Sequence, residues 1–369
     1  MPQNKVYINH YEAVCCAGKS ASELFDAICE HRSGISVVDN WVKDKSVAIG
    51  AIKERFHLEA LLSNVCERVL AQSGLENFHT TLLVVGSSVG GMQLTETTFL
   101  KDHSYTNINP KLHPIDAIAY LLNERYRFAD DISFSTACTS SANALGYAHE
   151  VISKGVYESV LVIGVDTLSL TTVRGFDALG VLSSSPCKPF DGERDGMNVA
   201  EGIGALLLAH QPSKRSVELK SVGYSSDAHH MAHPIPDGAG AQAAMKQALE
   251  RAGLTPDSID YINAHGTGTG ANDSAEAEAI YRLFGEKTLV SSTKSITGHT
   301  LGAAGAIEMI VCAEALHRQI VPPNTHLTSP EKAELHLVKE PQSKKLVNVM
   351  SNSLAFGGNN TSLILGVLA

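Results

Sequence analysis

Three residues of this sequence sit where a side chain can do more than pack: Cys138 in STACTSSANALGYA, His265 in YINAHGTGTGANDSAEAEA and His299 in STKSITGHTLGAAGAIE. Cys138 falls where an apolar strand should turn into a helix. A thiol there feels the positive end of the helix macrodipole and unpaired N–H groups, which favour the thiolate and make a nucleophile near neutral pH. The competing reading is a plain buried cysteine packed among alanines. The turn position, with Thr136, Ala137, Thr139 and Ser140 around the sulfur, weighs against it. His265 follows a second apolar run, and Gly266, Gly268 and Gly270 behind it let a ligand come close to the backbone. Thr267 and Thr269 add hydroxyls suited to an extended polar group. Lys294 and Glu308 are near enough to His299 in sequence to form an ionic pair bracketing its imidazole.

The elements that must hold these residues alternate between β-branched runs and Ala-rich helical segments, the pattern of an α/β protein. Strands are expected at 5–9, 81–85, 132–135, 159–165 and 204–209, then at 258–262, 288–291, 346–350 and 362–365. ISFSTACTSSANALGYAHEVISKG and TLVSSTKSITGHTLGAAGAIEMIVCAEALHRQ repeat one phrase: strand, small-residue turn, long Ala-rich helix. Each half then closes on a strand beside a glycine-rich turn, EGIGALLLA and FGGNNTSLILG. Self-similar halves point to a duplication. The polar seam at 210–216 is the expected junction, giving an N-terminal half, 1–210, that carries the thiol and a C-terminal half, 211–369, that carries both histidines.

Composition sets bounds. With 369 residues, 44% hydrophobic and 18% charged, the chain reads as an ordinary globular protein. A net charge of −10 argues against nucleic acid as a partner. The longest apolar runs, 160–165 and 203–209, are strand-sized, so no membrane span is expected. MPQNKVYINH shows no apolar stretch after a basic segment, and the seven cysteines form no CxxC, which predicts a reduced, cytoplasmic protein. His229, His230 and His233 lack a companion cysteine or carboxylate, and no metal site is expected. Asp191, Arg194 and Asp195 in PFDGERDG read as a structural ion-pair loop.

From GSSVGG (86–91) through TACTSS (136–141), PFDGERDG (189–196), SSDAHHMAHP (225–234), NAHGTGTGANDSAE (263–276) and TKSITGHTLGAAGAIE (293–308) to SNSLAFGGNN (351–360), the chain resembles the β-ketoacyl-acyl carrier protein synthases of the elongating Cys-His-His type, in the thiolase superfamily. The resemblance implies an α/β fold of five layers, αβαβα, built from two similar halves. It implies that Cys138 takes an acyl chain as a thioester, and that His265 and His299 assist decarboxylation of a malonyl thioester by stabilising the enolate oxygen. Lys294 joins them as a supporting charge with Glu308. The backbone N–H groups of Cys138 and Phe356 form the second oxyanion site, Thr267 and Thr269 hold the pantetheine arm, and Asp273 braces the helix start. Substrates arrive on the phosphopantetheine arm of an acyl carrier protein, with no further cofactor. The partners implied are that carrier and a dimer mate, either a second copy or a Cys-less chain-length-factor-like paralogue. An acidic carrier needs a local basic patch, for which Arg55 and Lys188 are the candidates, with Lys53 and Arg174 beside them.

Departures from the family pattern fall at the acyl pocket. Leu354 and Ala355 stand where relatives more often have a second Phe followed by Gly, which alters the gate, and Thr95 falls near a position usually filled by a bulky aliphatic. The chain is also shorter than typical members, mostly before Cys138, which puts the peripheral helical cap in doubt. These features tilt the reading from fatty acids toward polyketide or aryl-polyene assembly. A thiolase would want a second cysteine near the C-terminal turn, and none follows Cys312. A starter-type synthase would have Asn at 299. A non-catalytic chain-length subunit would lack Cys138. A papain-like Cys-His hydrolase leaves the second histidine unexplained.

Overall fold

A computed structural model of the chain describes residues 4–53 and 57–368. Strands β1 (Tyr7–Cys15), β2 (Ser36–Val42), β3 (Lys45–Ile49), β4 (Thr81–Gly86), β5 (Asp130–Phe134), β6 (Ser159–Asp166) and β7 (Gly202–Ala209) precede the seam. After it come β8 (Val217–Ser226), β9 (Tyr261–Asn263), β10 (Leu289–Ser291), β11 (Ile320–Val321), β12 (Gln342–Ser343), β13 (Asn348–Leu354) and β14 (Asn359–Gly366). The helices are α1 (Ala21–Cys29), α2 (Leu58–Leu70), α3 (Met92–Asp102), α4 (Ala117–Tyr126), α5 (Ser140–Ser153), α6 (Leu170–Ala178), α7 (Ala239–Ala252), α8 (Gly270–Phe284), the one-turn α9 (Lys294–Thr297) and α10 (Ala304–Arg318).

Ten strands run in the order β10-β9-β13-β14-β8-β1-β7-β6-β4-β5. Split between β8 and β1, they form two sets of identical plan: β5-β4-β6-β7-β1 and β10-β9-β13-β14-β8. In each set the first three strands are parallel and the last two antiparallel. Strands β1 and β8 join the two sets through the antiparallel pairs Tyr7↔Glu218 and Ile8↔Val217, with Leu219 N–H donating to the Val6 carbonyl at 2.9 Å. The two phrases that resemble one another in sequence, β5–α5 and β10–α10, occupy equivalent places, as do the closing strands β7 and β14.

Burial explains the layering. Strands β4 and β6 are buried along their whole length, as parallel strands covered on both faces must be. Helix α10 is buried continuously from Ala304 to Leu316, Glu308 and Glu314 included, and α5 is buried on most of its surface; helices covered on nearly every side belong inside. These two form the middle layer, each touching strands of both sets. Outside them, α2 and α4 cover the first set, and α7 covers the second with α8 packed on it, which gives the thiolase-like αβαβα stack. Small residues let the middle helices meet: a Cβ on Gly305 would lie 2.8 Å from the Ala142 Cβ.

Several element bounds differ from the sequence expectation. Strand β1 starts later than 5–9 and continues through the polar His10–Glu12 stretch, because its whole length pairs with β7. Residues 256–258 form a 3₁₀ turn with Pro256 at its start, not the head of a strand. Strand β13 runs through Ser351 to Leu354, residues read from sequence as loop; buried Ser and Asn are accommodated there by the ladder to β14. The hairpin β2–β3 and the long β8 were not anticipated.

Candidate active site

The nucleophile turn and the histidine turn come from opposite sheet sets and meet where α5 and α10 begin. Cys138 precedes α5, with Thr139 at the cap position, and Ala137 before it takes φ 52, a left-handed backbone that a non-glycine residue adopts only when its surroundings impose it. Ser88 Oγ (2.9 Å) and Ser140 Oγ (2.6 Å) both donate to the Ala137 carbonyl. On the other side, the His299 Nε2 lies 3.1 Å from Cys138 Sγ. The His265 and His299 rings stand edge to face with centroids 5.1 Å apart.

Hydrogen bonds behind the rings fix which nitrogens carry protons. The Leu301 N–H donates to His299 Nδ1 at 3.2 Å. The Lys294 ammonium has three acceptors: the His265 carbonyl at 2.6 Å, His265 Nδ1 at 3.3 Å, and Glu308 Oε1. Both Nδ1 atoms therefore accept, and both rings present Nε2–H to the cavity. Sequence placed the Lys294–Glu308 pair around His299; the structure places it against His265, and both side chains are buried. Burial first, and the Lys294 charge second, hold both imidazoles well below the ordinary histidine value, so they are neutral.

The turn after β9 is braced from below. Asp273 accepts from the N–H groups of Phe190, Thr267 and Gly268, and Glu276 accepts from His265 N and Gly266 N at 2.8 Å each. Burial pushes the Glu276 carboxyl up to about 7.

One expectation about the thiol needs correction. The helix start was expected to hold it ionised, yet burial pushes Cys138 up to about 12, against Lys294 and the backbone N–H groups of Phe356 and of Cys138 itself, all of which favour the thiolate. Desolvation outweighs the dipole in the resting site. The N–H groups and the helix end then act on negative charge as it develops, not on a standing thiolate.

Cys138 Sγ and the two histidines lie within 4.8 Å of one another, the only such trio of possible metal ligands among the described residues. A ligating imidazole normally donates its far N–H to an acceptor. Here both far nitrogens face donors, so the trio suits two hydrogen-bond donors and a sulfur, and does not fit a metal centre.

A cavity of about 500 Å³ opens onto this trio. Thr267, Thr269, Leu354 and Phe356 line it. Thr95 does not: it lies on α3, bonded to His113 Nδ1 at 2.9 Å. Lys188 is half-buried near His326 and is not part of the cavity wall, Lys53 is exposed, and Arg55 lies outside the described residues. Sequence reasoning missed Phe176 on α6, whose ring packs 6.1 Å from that of Phe356 at the mouth. It gave His229, His230 and His233 no role beyond excluding a metal site. His230 and His233 line the cavity, stacked 4.8 Å apart, and the loop is tied to the gate through Gly357 N–H to the Met231 carbonyl at 2.8 Å. No local sequence signal marks Phe176, because its contact is made across the fold.

Removing the ammonium should be costly. Lys294→Ala leaves Glu308 buried without its partner, and a loss of about 3–5 kcal/mol is expected, read as a lower thermal midpoint. Lys294→Met with Glu308→Leu should recover much of that stability.

A thiol at a helix start, faced by two neutral imidazole donors and served by a threonine-lined channel on this fold, defines a thioester-condensing enzyme of the thiolase-like class. Sequence comparison makes it specific: the β-ketoacyl synthase N-terminal domain matches residues 57–213 and the C-terminal domain residues 217–328. The 3-oxoacyl-[acyl-carrier-protein] synthase 2 of Coxiella burnetii is 31% identical over 414 residues, covering 99% of each chain. Among solved structures, the ketosynthase ApeO, in complex with its chain length factor ApeC from Xenorhabdus doucetiae, superimposes with TM-score 0.90 at 32% identity, covering 99% of this chain and 98% of that one. A type II polyketide ketosynthase in complex with its acyl carrier protein and bound to the hexaketide, AntDE:AntF, gives 0.87 at 25%, covering 99% of this chain and 100% of that one. The chain belongs to the β-ketoacyl synthase family. Its reaction is the decarboxylating Claisen condensation of an acyl chain with malonyl-acyl carrier protein, giving a 3-oxoacyl product two carbons longer, in fatty acid or polyketide synthesis.

Proposed function

We propose that Cys138 is the acyl acceptor, and that His265 and His299 together form the enolate site. The observation that carries this is the pair of Nε2–H donors converging beside one sulfur. In the first half-reaction Sγ attacks the acyl thioester, the new S–C bond forms as the pantetheine C–S bond breaks, and the thiol proton ends on the departing sulfur. The tetrahedral oxyanion sits at the Cys138 and Phe356 N–H groups. In the second, malonyl loses carbon dioxide, the enolate oxygen accepts from both imidazoles, and the carbanion attacks the acyl-Cys138 carbonyl. Cys138 leaves as thiolate and is reprotonated from solvent, consistent with a thiol that burial keeps neutral at rest. Lys294 fixes the His265 tautomer. The chemistry is then supplied by thiol, imidazoles and the carrier's own arm, with no resident metal or redox cofactor.

The chain works on acyl carrier protein in the cytoplasm, and its mate is a Cys-less chain-length-factor-like paralogue within a polyketide or aryl-polyene pathway. The similarity to ApeO, a ketosynthase solved with its chain length factor, supports this; among the described residues no helix is long and apolar enough to cross a membrane. Residues 210–216 form the junction of the duplicated halves. The test supplies saturated, polyunsaturated and aryl-capped acyl carriers with malonyl carrier, with and without the genomically paired paralogue. Condensation of conjugated or aryl-capped chains that depends on the paralogue is expected. Full activity of the chain alone on saturated chains overturns the pathway and partner, leaving the reaction intact.

Because both imidazoles are held neutral, malonyl decarboxylation should stay level as pH falls through 6.5, the ordinary histidine midpoint, and drop only at lower pH. A rate tracking a free-histidine titration in a stopped-flow carbon dioxide assay would contradict the assignment.

A further inference from the structure

Asp166, at the end of β6, belongs to neither the thiol nor the histidine motif, yet both turns hang from it. Its carboxylate is wholly buried and accepts from four groups: Ser87 Oγ at 2.6 Å, Ser88 N at 3.0 Å, Val89 N at 3.0 Å and Gly302 N at 2.6 Å. Through the Ser88 hydroxyl, which donates to the Ala137 carbonyl at 2.9 Å, the anchor reaches the residue before the thiol. Through Gly302 it reaches the turn whose Leu301 N–H sets the His299 tautomer. Ala137 and Leu301 each take φ 52, so both reactive turns hold a non-glycine residue in the left-handed region. Such strain persists only where surrounding bonds over-determine it. The approach is close enough to require glycine: a Cβ on Gly302 would lie 2.7 Å from Ser88 N and 2.8 Å from Asp166 Oδ2.

We propose that Asp166 is a positioning residue that fixes the separation of Cys138 Sγ and His299 Nε2 by anchoring the two strained turns that carry them. This rests on the roles given above to Cys138 and His299. An amide cannot replace the carboxylate, since one end of it would present N–H to backbone donors. The same carboxylate also places negative charge near the thiol. The charged and titratable groups facing Sγ are Lys294 from α9, Asp166 from β6, and the neutral His265 and His299 from the turns after β9 and α9; Lys294 favours the thiolate and Asp166 opposes it.

Two effects of opposite sign follow. In Asp166→Asn, acyl transfer to Cys138 should slow about a hundredfold with little change in KM for the acyl carrier, as for a reacting pair displaced by around an ångström. Meanwhile the pH midpoint for iodoacetamide alkylation of Cys138 should move down, because a nearby negative charge is gone. Loss of structure alone would lower the rate through the active fraction and leave that midpoint where it was. Ser88→Ala cuts only the tie to Ala137: acyl transfer should fall at least tenfold, while malonyl decarboxylation, which needs the histidines, stays within twofold. Intact-protein mass spectrometry, alkylation profiles and thermal melts on the full chain give these readouts. A folded Asp166→Asn protein with wild-type acylation, or an unmoved alkylation midpoint, overturns the proposal. If Asp166→Asn does not fold, Ser88→Ala decides, and wild-type acylation there overturns it. Failure of the unsubstituted protein to acquire acyl on Cys138 would instead refute the nucleophile assignment.

Discussion

Cys138→Ala is expected to abolish condensation, lowering kcat by about a thousandfold or more, because no other described thiol lines the cavity and the acyl chain has no other acceptor there. Of the remaining cysteines Cys29 is half-buried and the others are buried, and none of them joins the two imidazoles in a cluster as Cys138 does; Cys187, beside the glycine turn, donates to the Lys294 carbonyl at 3.3 Å. Cys138→Gln should separate the half-reactions. Its amide carbonyl can reach toward the N–H groups of Cys138 and Phe356 as an acyl thioester would, while the histidine pair stays intact. Acylation should be lost and malonyl decarboxylation retained. Steady-state condensation and carbon dioxide release, measured on the same preparations, check both outcomes. Loss of decarboxylation in folded Cys138→Gln would mean that the sulfur takes part in that step.

The second large effect concerns the imidazoles. His299→Ala removes one of two donors aimed at the enolate oxygen, and the decarboxylation rate should fall about 10²–10³-fold, the usual consequence of deleting one oxyanion donor. His265→Ala should match it. His265→Ala also strips an acceptor from the buried Lys294, so it should melt lower than His299→Ala, a difference that differential scanning would show. His299→Asn keeps an N–H donor on a shorter side chain and should lose less than His299→Ala. If alanine and asparagine at 299 were equally slow, donation would not be the histidine's contribution. The double alanine variant should cost less than the product of the singles, because the two donors serve one oxygen.

Much of this was legible in residue types. The strand-turn-helix phrase around Cys138, the glycine-threonine turn behind His265 and the doubled β5–α5 and β10–α10 pattern are local signals, and local signals survive in sequence. What escaped depends on three-dimensional neighbours. The preference of Lys294 for His265 over His299 comes from where β10 delivers α9, not from spacing along the chain. The neutral state of the thiol follows from its burial in the folded chain, which overrides the helix end visible in sequence. Phe176 and Asp166 act across segments far apart in the chain, and Ser351–Leu354 read as loop because serine and asparagine rarely signal a strand. Motif position alone puts Thr95 near the acyl pocket; the structure places it on α3, bonded to His113 and outside the wall of this cavity.

Peptide mapping of the acylated protein goes most directly to the central point. After brief incubation with an acyl carrier substrate, proteolysis under conditions that preserve thioesters should yield a single acylated peptide, with the mass increment on Cys138, discharged when malonyl carrier is added. An acyl group on any other residue, or one on Cys138 that malonyl carrier fails to discharge, would contradict the account.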